Sequence, residues 1–345
     1  MHDPAPMARL GGHIATDLRD VTSDPAALDS TGFWAVSADF EGRLVCARFG
    51  DVREAPPVRT GRWHGPSADS WTTSLDRDAY IAGVRRIREH IAAGEVYQAN
   101  LCRVLSAPIC PDADVDALTA ELAYGNPAPY AGTIRLPEHG VEIATASPEL
   151  FLRRDGRIVE SGPIKGTGRT EADLLEKDHA ENVMIVDLVR NDLGRVCATG
   201  SVTVPELCVV EKHPGLVHLV STVRGELAEG AGWPELFAAT FPPGSVTGAP
   251  KSSALRIIES LETAPRGPYC GGIGWVDADR GTGELAVGIR TFWIDRAEGL
   301  LRFGTGAGIT WGSDPEREWQ ETELKASRLL AVASGTYGAS GGKHA

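Results

Sequence analysis

Strand-like apolar runs recur along most of the chain, and four stretches of helical spacing divide them into groups, so the fold must build large sheets and lay helices against them. Phe33-Trp34-Ala35-Val36 and Leu44-Val45-Cys46-Ala47 flank a turn at Glu41-Gly42 and read as a hairpin. Strand-like segments follow at 96–104, 133–145, 217–223, 285–294 and 300–303. Phe151-Leu152 and Ile158-Val159 flank Asp155-Gly156, a dipeptide that favours a tight hairpin turn. The first helical pattern carries Tyr80, Ile81, Val84, Ile87 and Ile91, with Asp76 or Ser74 as its cap and Gly94 as its stop. The others span 171–193, 250–261 with proline in the first turn, and 315–333. Residues 1–30 read as polar and partly frayed, and 50–73 as loop. No repeat or low-complexity linker interrupts the chain, and the expected class is α+β.

The 345 residues allow two domains or one large one, and 42% hydrophobic residues are enough for a sizeable core. A formal charge of −13 argues against general binding to a phosphate backbone, so no nucleic-acid partner is expected. It leaves room for an anionic small molecule in a pocket of opposite sign. No run reaches the roughly 18 apolar residues of a membrane helix, and MHDPAPMARLGGH lacks a signal-peptide core. The six cysteines are scattered without a C-x-x-C pair, as expected of reduced thiols in a cytoplasmic protein.

Four features could carry chemistry. Asp178 with Glu181, and Glu318 with Glu321, are i, i+3 carboxylate pairs, each on one helix face. Each pair is either a solvated face or half of a site for a hard divalent cation such as Mg²⁺. In Ser161-Gly162-Pro163-Ile164-Lys165-Gly166-Thr167, Lys165 is a surface lysine or, held against apolar surface, a nucleophile. Gly244-Ser245-Val246-Thr247-Gly248-Ala249-Pro250-Lys251 runs into a helix and is an anion site or a plain helix start. Gly304-Thr305-Gly306-Ala307-Gly308 reads as a glycine-rich turn between a strand and a helix.

Taken in order, several strings resemble the chorismate-utilising enzymes. They are Tyr97-Gln98-Ala99-Asn100-Leu101, Ser147-Pro148-Glu149-Leu150-Phe151, Pro163-Ile164-Lys165-Gly166-Thr167, the run from Ala180 to Gly194, Gly244 to Lys251, Tyr269-Cys270-Gly271, Gly288-Ile289-Arg290-Thr291, and Gly306 through Lys325. The resemblance covers roughly 76–333. It implies large antiparallel-rich sheets packed in a sandwich with helices outside. The implied division is a shortened N-terminal segment giving strands to the sheet (1–75), a chorismate-binding catalytic domain (76–333) and a flexible tail (334–345).

Within that family, isochorismate and salicylate synthases carry a water-activating lysine where this chain has Gln98. Anthranilate synthases carry alanine where it has Lys165, and aminodeoxychorismate synthases carry lysine there. The resemblance therefore implies amination of chorismate at C4 to 4-amino-4-deoxychorismate, for folate or a related secondary pathway. Lys165 would form a covalent adduct at C2, Glu149 would protonate the departing hydroxyl, and His218 would stand beside the ring. Gln98, Ser245 and Thr247 would shape the pocket. Tyr269, Arg290, Gly306, Gly308 and Lys325 would hold the enolpyruvyl carboxylate. Glu181 and Glu321 would hold Mg²⁺, supported by Asp178, which stands where several relatives have glutamate, and by Glu318. Ammonia would come from a glutamine amidotransferase subunit, since no Gly-x-Cys-x-Gly motif is present. The short segment before residue 76 argues against a tryptophan site. The alternatives are anthranilate synthase component I and a chorismate-binding regulatory protein without catalysis.

Overall fold

The computed structural model describes residues 5–168, 170–171, 174, 176–213 and 216–337. The chain opens with strands β1 (Met7–Leu10), β2 (His13–Thr22), β3 (Phe33–Ala38) and β4 (Leu44–Glu54). Short β5 (Thr72–Thr73) precedes α1 (Arg77–Ala92), β6 (Gln98–Pro108) and α2 (Val115–Gly125). Five strands follow: β7 (Tyr130–Leu136), β8 (Val141–Ser147), β9 (Leu150–Asp155), β10 (Ile158–Gly162) and β11 (Ile164–Gly168). Then come α3 (Glu176–Gly194), β12 (Thr203–His213), β13 (Leu216–Glu226), α4 (Trp233–Thr240), β14 (Gly248–Ala249) and α5 (Lys251–Leu261). The last elements are β15 (Gly272–Asp277), β16 (Thr282–Val287), β17 (Thr291–Asp295), β18 (Leu300–Ile309) and α6 (Pro315–Ala333).

The local signals have physical counterparts. Asp76 caps α1 by accepting from Ala79 N at 2.9 Å, and Gly94 leaves the helix at φ +75°. Asp314 caps α6 by accepting from Arg317 N at 3.0 Å, with Pro315 in the first turn. Gly156 turns the β9–β10 hairpin at φ +57°.

All the strand pairings are antiparallel and form one continuous path rather than two separate sheets. It runs β12–β13–β10–β9–β16–β15–β3–β4, then β2–β1–β7–β8–β17–β18–β6, with β11 on β13 and β5 and β14 on β6. Accumulated strand twist curls so long a sheet on itself. Its two ends, β11 and the β6–β14 pair, are joined through one residue, Ser245: its carbonyl accepts from Lys165 Nζ of β11 and from Asn100 Nδ2 of β6. Helices α3 and α4 cover one part of the sheet, burying Ile185, Val186, Leu193, Trp233 and Leu236 against Phe151 and Leu152. Helices α2 and α6 bury Leu118, Leu122 and Leu329 against Phe292 and Phe303. Among the described residues no helix is long and apolar enough to cross a membrane.

Four expectations change. Residues 7–22 form β1 and β2 instead of a frayed lead, because small Ala8 and Ala15 bury against Ile134 and Leu136. The segment 50–73 begins inside β4. The stretches 133–145 and 285–294 are each two strands. The 304–308 segment is no turn but the interior of β18. Its glycines answer to close packing: a Cβ at Gly304 would stand 2.0 Å from Tyr269 Cγ, and one at Gly306 2.5 Å from Cys102 Sγ.

Candidate active site

Lys165 reaches its place because β11 pairs with β13 opposite Leu219 and then bulges at Gly166, which takes φ +75°. Its Nζ donates to the Ser245 carbonyl at 3.1 Å. The same oxygen accepts from Asn100 Nδ2 at 3.3 Å, which leaves Asn100 Oδ1 to accept from Gln98 Nε2 at 3.3 Å. This chain of bonds fixes the orientation of both amides. The Asn100 backbone N–H donates to Thr247 O at 2.8 Å, so β6 and the 244–249 segment are stitched at Ser245 and again two residues on.

Glu149 stands between β8 and β9, 4% exposed, with its carbonyl accepting from Val287 N at 3.0 Å. Burial raises its carboxyl above the ordinary range, opposed by the Ser245 hydroxyl, the Lys165 charge and the Ile164 backbone N–H. An acid and an amine thus converge on Ser245. Thr247 is fully buried, and its hydroxyl donates to Pro243 O and Gly244 O at 3.2 Å, closing its own loop. His218 is buried on β13 between Thr167 of β11 and Glu211 of β12.

A second group lies along β18. The Lys325 ammonium donates to Gly306 O at 3.1 Å and pairs with Glu321 at 2.7 Å. Amide and carbonyl of one strand residue point the same way, so the Gly306 N–H also faces away from β6, and by the two-residue period that of Gly308 does too. Tyr269 is buried with its ring against Gly304 and its hydroxyl 4.0 Å from Cys102 Sγ. Arg290 holds a left-handed backbone at φ +52°, and its guanidinium has no hydrogen-bonding partner among the described residues. Burial and the neighbouring Arg328 charge lower its pKa.

The carboxylate pairs are less converged. Glu181 and Glu318 are half-buried and Glu321 exposed, on helices α3 and α6. The side chain of Asp178 lies outside the described residues. Among the described residues no three His, Cys, Asp or Glu side chains stand close enough together to hold a metal ion. By donor type the set is all carboxylate oxygen, which suits Mg²⁺.

Sequence reasoning assigned no role to Asn100, Asn182 or Arg266. Asn182, wholly buried on α3 beside Glu181, donates to Leu219 O at 3.2 Å and accepts from the Ser221 hydroxyl. A buried-face position occupied by an amide next to an acid was the available signal.

Residues 51–331 match the family described as chorismate binding enzyme. Anthranilate synthase component 1 of Thermus thermophilus is 41% identical over 319 residues, 89% of this chain and 64% of that protein. Aminodeoxychorismate synthase component 1 of Escherichia coli is 39% identical over 315 residues, 86% of this chain and 68% of that protein. A Bacillus anthracis structure described as a 2,3-dihydroxybenzoate-specific isochorismate synthase superposes with a TM-score of 0.78 at 26% identity, covering 95% of this chain and 94% of the other. The chain spans somewhat under two thirds of several curated relatives it matches.

Proposed function

Since the chain belongs to the family of chorismate binding enzymes, we propose that it aminates chorismate at C4 to give 4-amino-4-deoxychorismate. Relatives named for anthranilate and for aminodeoxychorismate synthesis match at similar identity, so the choice rests on the residues. The observation that carries it is the meeting of Lys165 and buried Glu149 at Ser245. An amine nucleophile within reach of a carboxylic acid is what a two-step displacement needs.

In that reading the Lys165 amine adds at C2 as the ring double bond shifts and the C4 hydroxyl departs. Glu149 gives that hydroxyl its proton, so it leaves as water. Burial keeps Glu149 protonated at higher pH than an exposed carboxyl, as a general acid requires. Ammonia then adds at C4, the double bond shifts back and Lys165 is expelled. Gln98, an amide, cannot take a proton from water, which disfavours hydroxylation at C2. Arg290, Lys325 and the N–H groups of Gly306 and Gly308 bind the enolpyruvyl carboxylate, with Tyr269 packed behind Gly304. His218, Ser245 and Thr247 line the ring site. Glu181 and Glu321, helped by Asp178 and Glu318, would hold Mg²⁺, which would supply positive charge to orient the ring carboxylate. Ammonia comes from a separate glutamine amidotransferase subunit.

The test is product identity. Chorismate, Mg²⁺ and an ammonium salt should yield 4-amino-4-deoxychorismate by mass and NMR, and Lys165→Ala should slow the reaction strongly or divert it to C2 amination. Fluorescent anthranilate from the unaltered chain would instead favour anthranilate synthase, the second reading, which the 41% identity to the Thermus enzyme supports. Glutamine used as efficiently as ammonium by the isolated chain would refute the separate subunit.

A further inference from the structure

Arg266 and Glu262 form an ion pair whose side chains are 1% and 7% exposed. The Arg266 fork donates Nε to Glu262 Oε2 at 2.8 Å and Nη2 to Glu262 Oε1 at 2.6 Å. Its remaining donors go to main-chain carbonyls: Nη1 to Val246 O at 2.9 Å and Nη2 to Asn100 O at 3.1 Å. Glu262 Oε1 also accepts from Cys102 N at 2.8 Å. The pair therefore grips β6 at residues 100 and 102 and the 244–249 segment at the residue after Ser245. It is itself held in place. The backbone N–H groups of Arg266 and Gly267 donate to the Glu41 carboxylate at 2.7 and 3.0 Å, and the guanidinium lies 4.1 Å from the Phe40 ring centroid.

We propose that the Arg266–Glu262 pair is a positioning element of the active site, setting the Ser245 carbonyl between Lys165 and Asn100. The proposal rests on the reading of Lys165 and Glu149 given above. A buried ion pair adds little net stability over a well-packed apolar replacement, so stability alone does not account for it. What an arginine fork supplies is fixed donor geometry, here aimed at two carbonyls from different segments. Lysine at the same place keeps the charge and loses the fork. Displacement of Ser245 would move the partner of Lys165 and withdraw the hydroxyl that stabilises the Glu149 carboxylate.

A second bidentate pair in the same chain, with its carboxylate buried but its arginine side chain 32% exposed, serves as the control. Arg296 grips Glu142 through Nε at 2.6 Å and Nη2 at 2.5 Å, and ties down Pro111 O and Ala113 O. It is the same carboxylate–guanidinium chemistry, tied here to the 111–113 segment.

The experiment compares Arg266→Lys, Glu262→Gln and Glu142→Gln in the full chain, measuring Tm and chorismate consumption with ammonium and Mg²⁺ across pH. Arg266→Lys should lower kcat at least about 10-fold with KM within about 3-fold, the mark of lost orientation rather than lost binding. Its alkaline limb should move to higher pH, because Glu149 without the Ser245 hydroxyl holds its proton longer. Glu142→Gln should lower Tm by no more than Glu262→Gln does and keep kcat within about 2-fold, with an unmoved limb. Should Arg266→Lys fail to fold, Glu262→Gln carries the same expectations. Equal kcat losses at equal Tm loss, or an alkaline limb that stays in place, overturn the proposal. The rate ratios are scored on whichever chorismate product forms, so product identity judges the proposed function separately.

Discussion

Gly308→Ala is the sharpest probe of how closely the sheet is packed around the candidate site. Gly308 lies in β18 opposite Asn100, and its backbone is not in the left-handed region, so alanine meets no conformational penalty of its own. A Cβ there would stand 2.2 Å from Gln98 Nε2, 3.1 Å from Asn100 Oδ1 and 3.3 Å from Gln98 Cδ, whereas ordinary contact begins at 3.4 Å. Gln98 must retreat by more than 1 Å, but it is fully buried. Overpacking of this kind costs about 1–3 kcal/mol of stability. The retreat also breaks the relay from Gln98 through Asn100 to the Ser245 carbonyl and Lys165. A misplacement of about 1 Å can cost about 10²-fold in rate, or about 2.7 kcal/mol of barrier. Urea unfolding reads the first quantity and steady-state chorismate consumption the second. Gly312→Ala, with nothing within 4 Å of its added Cβ, is the control and should change neither. A Gly308→Ala enzyme with unaltered stability and kcat would show that the packing around Gln98 is looser than these distances say.

Glu149→Gln keeps the shape and removes the proton, so kcat should fall about 10²–10⁴-fold, and the wild-type alkaline limb should lie above the ordinary carboxylate range; a limb near pH 4 would exclude Glu149 as the acid. Asp39 is pushed up from 3.8 to about 6, chiefly by burial and in part by Glu41, against the Arg43 charge. A carboxyl raised on folding stabilises below its unfolded pKa and loses that contribution as pH rises through the folded one. Asp39→Asn should therefore match wild type near pH 3.5 and exceed it above pH 7 by up to about 3 kcal/mol, at 1.36 kcal/mol per pH unit; an equal difference at both pH values would remove Asp39 as the cause. Glu142→Ala removes the buried carboxylate of a pair whose arginine is 32% exposed, so the freed guanidinium can turn to water and the cost in denaturant unfolding should stay at about 1–3 kcal/mol; a loss above about 5 kcal/mol would show that Arg296 cannot reach solvent.

Local chemistry was legible in the sequence wherever a short-range rule decides the outcome. Asp76 caps its helix, as one of the two residues offered for that place, because a carboxylate can reach a free N–H three residues on. The Asp155-Gly156 turn needs a residue at home at positive φ, and the apolar periods of α1 and α6 declare which faces must be covered. The strings around Gln98, Glu149 and Lys165 likewise stand in the linear chain for anyone to read.

The tertiary structure decided what long-range contact decides. Glycines 304, 306 and 308 resemble a turn in isolation, yet Tyr269, Cys102 and Gln98 press against them and leave no room for a Cβ in an extended strand. Nothing local in the polar stretch 7–22 announces two strands, since β1 finds its partner more than a hundred residues away on β7 and β2 is held by β1 and β4. Ser245 is marked in the sequence as a pocket residue, but that its carbonyl is the common acceptor of β6 and β11 appears only when the curled sheet brings both to it. Arg266 became visible in the same way, because a buried guanidinium is defined by the acceptors around it, and those come from segments that meet only once the chain is folded.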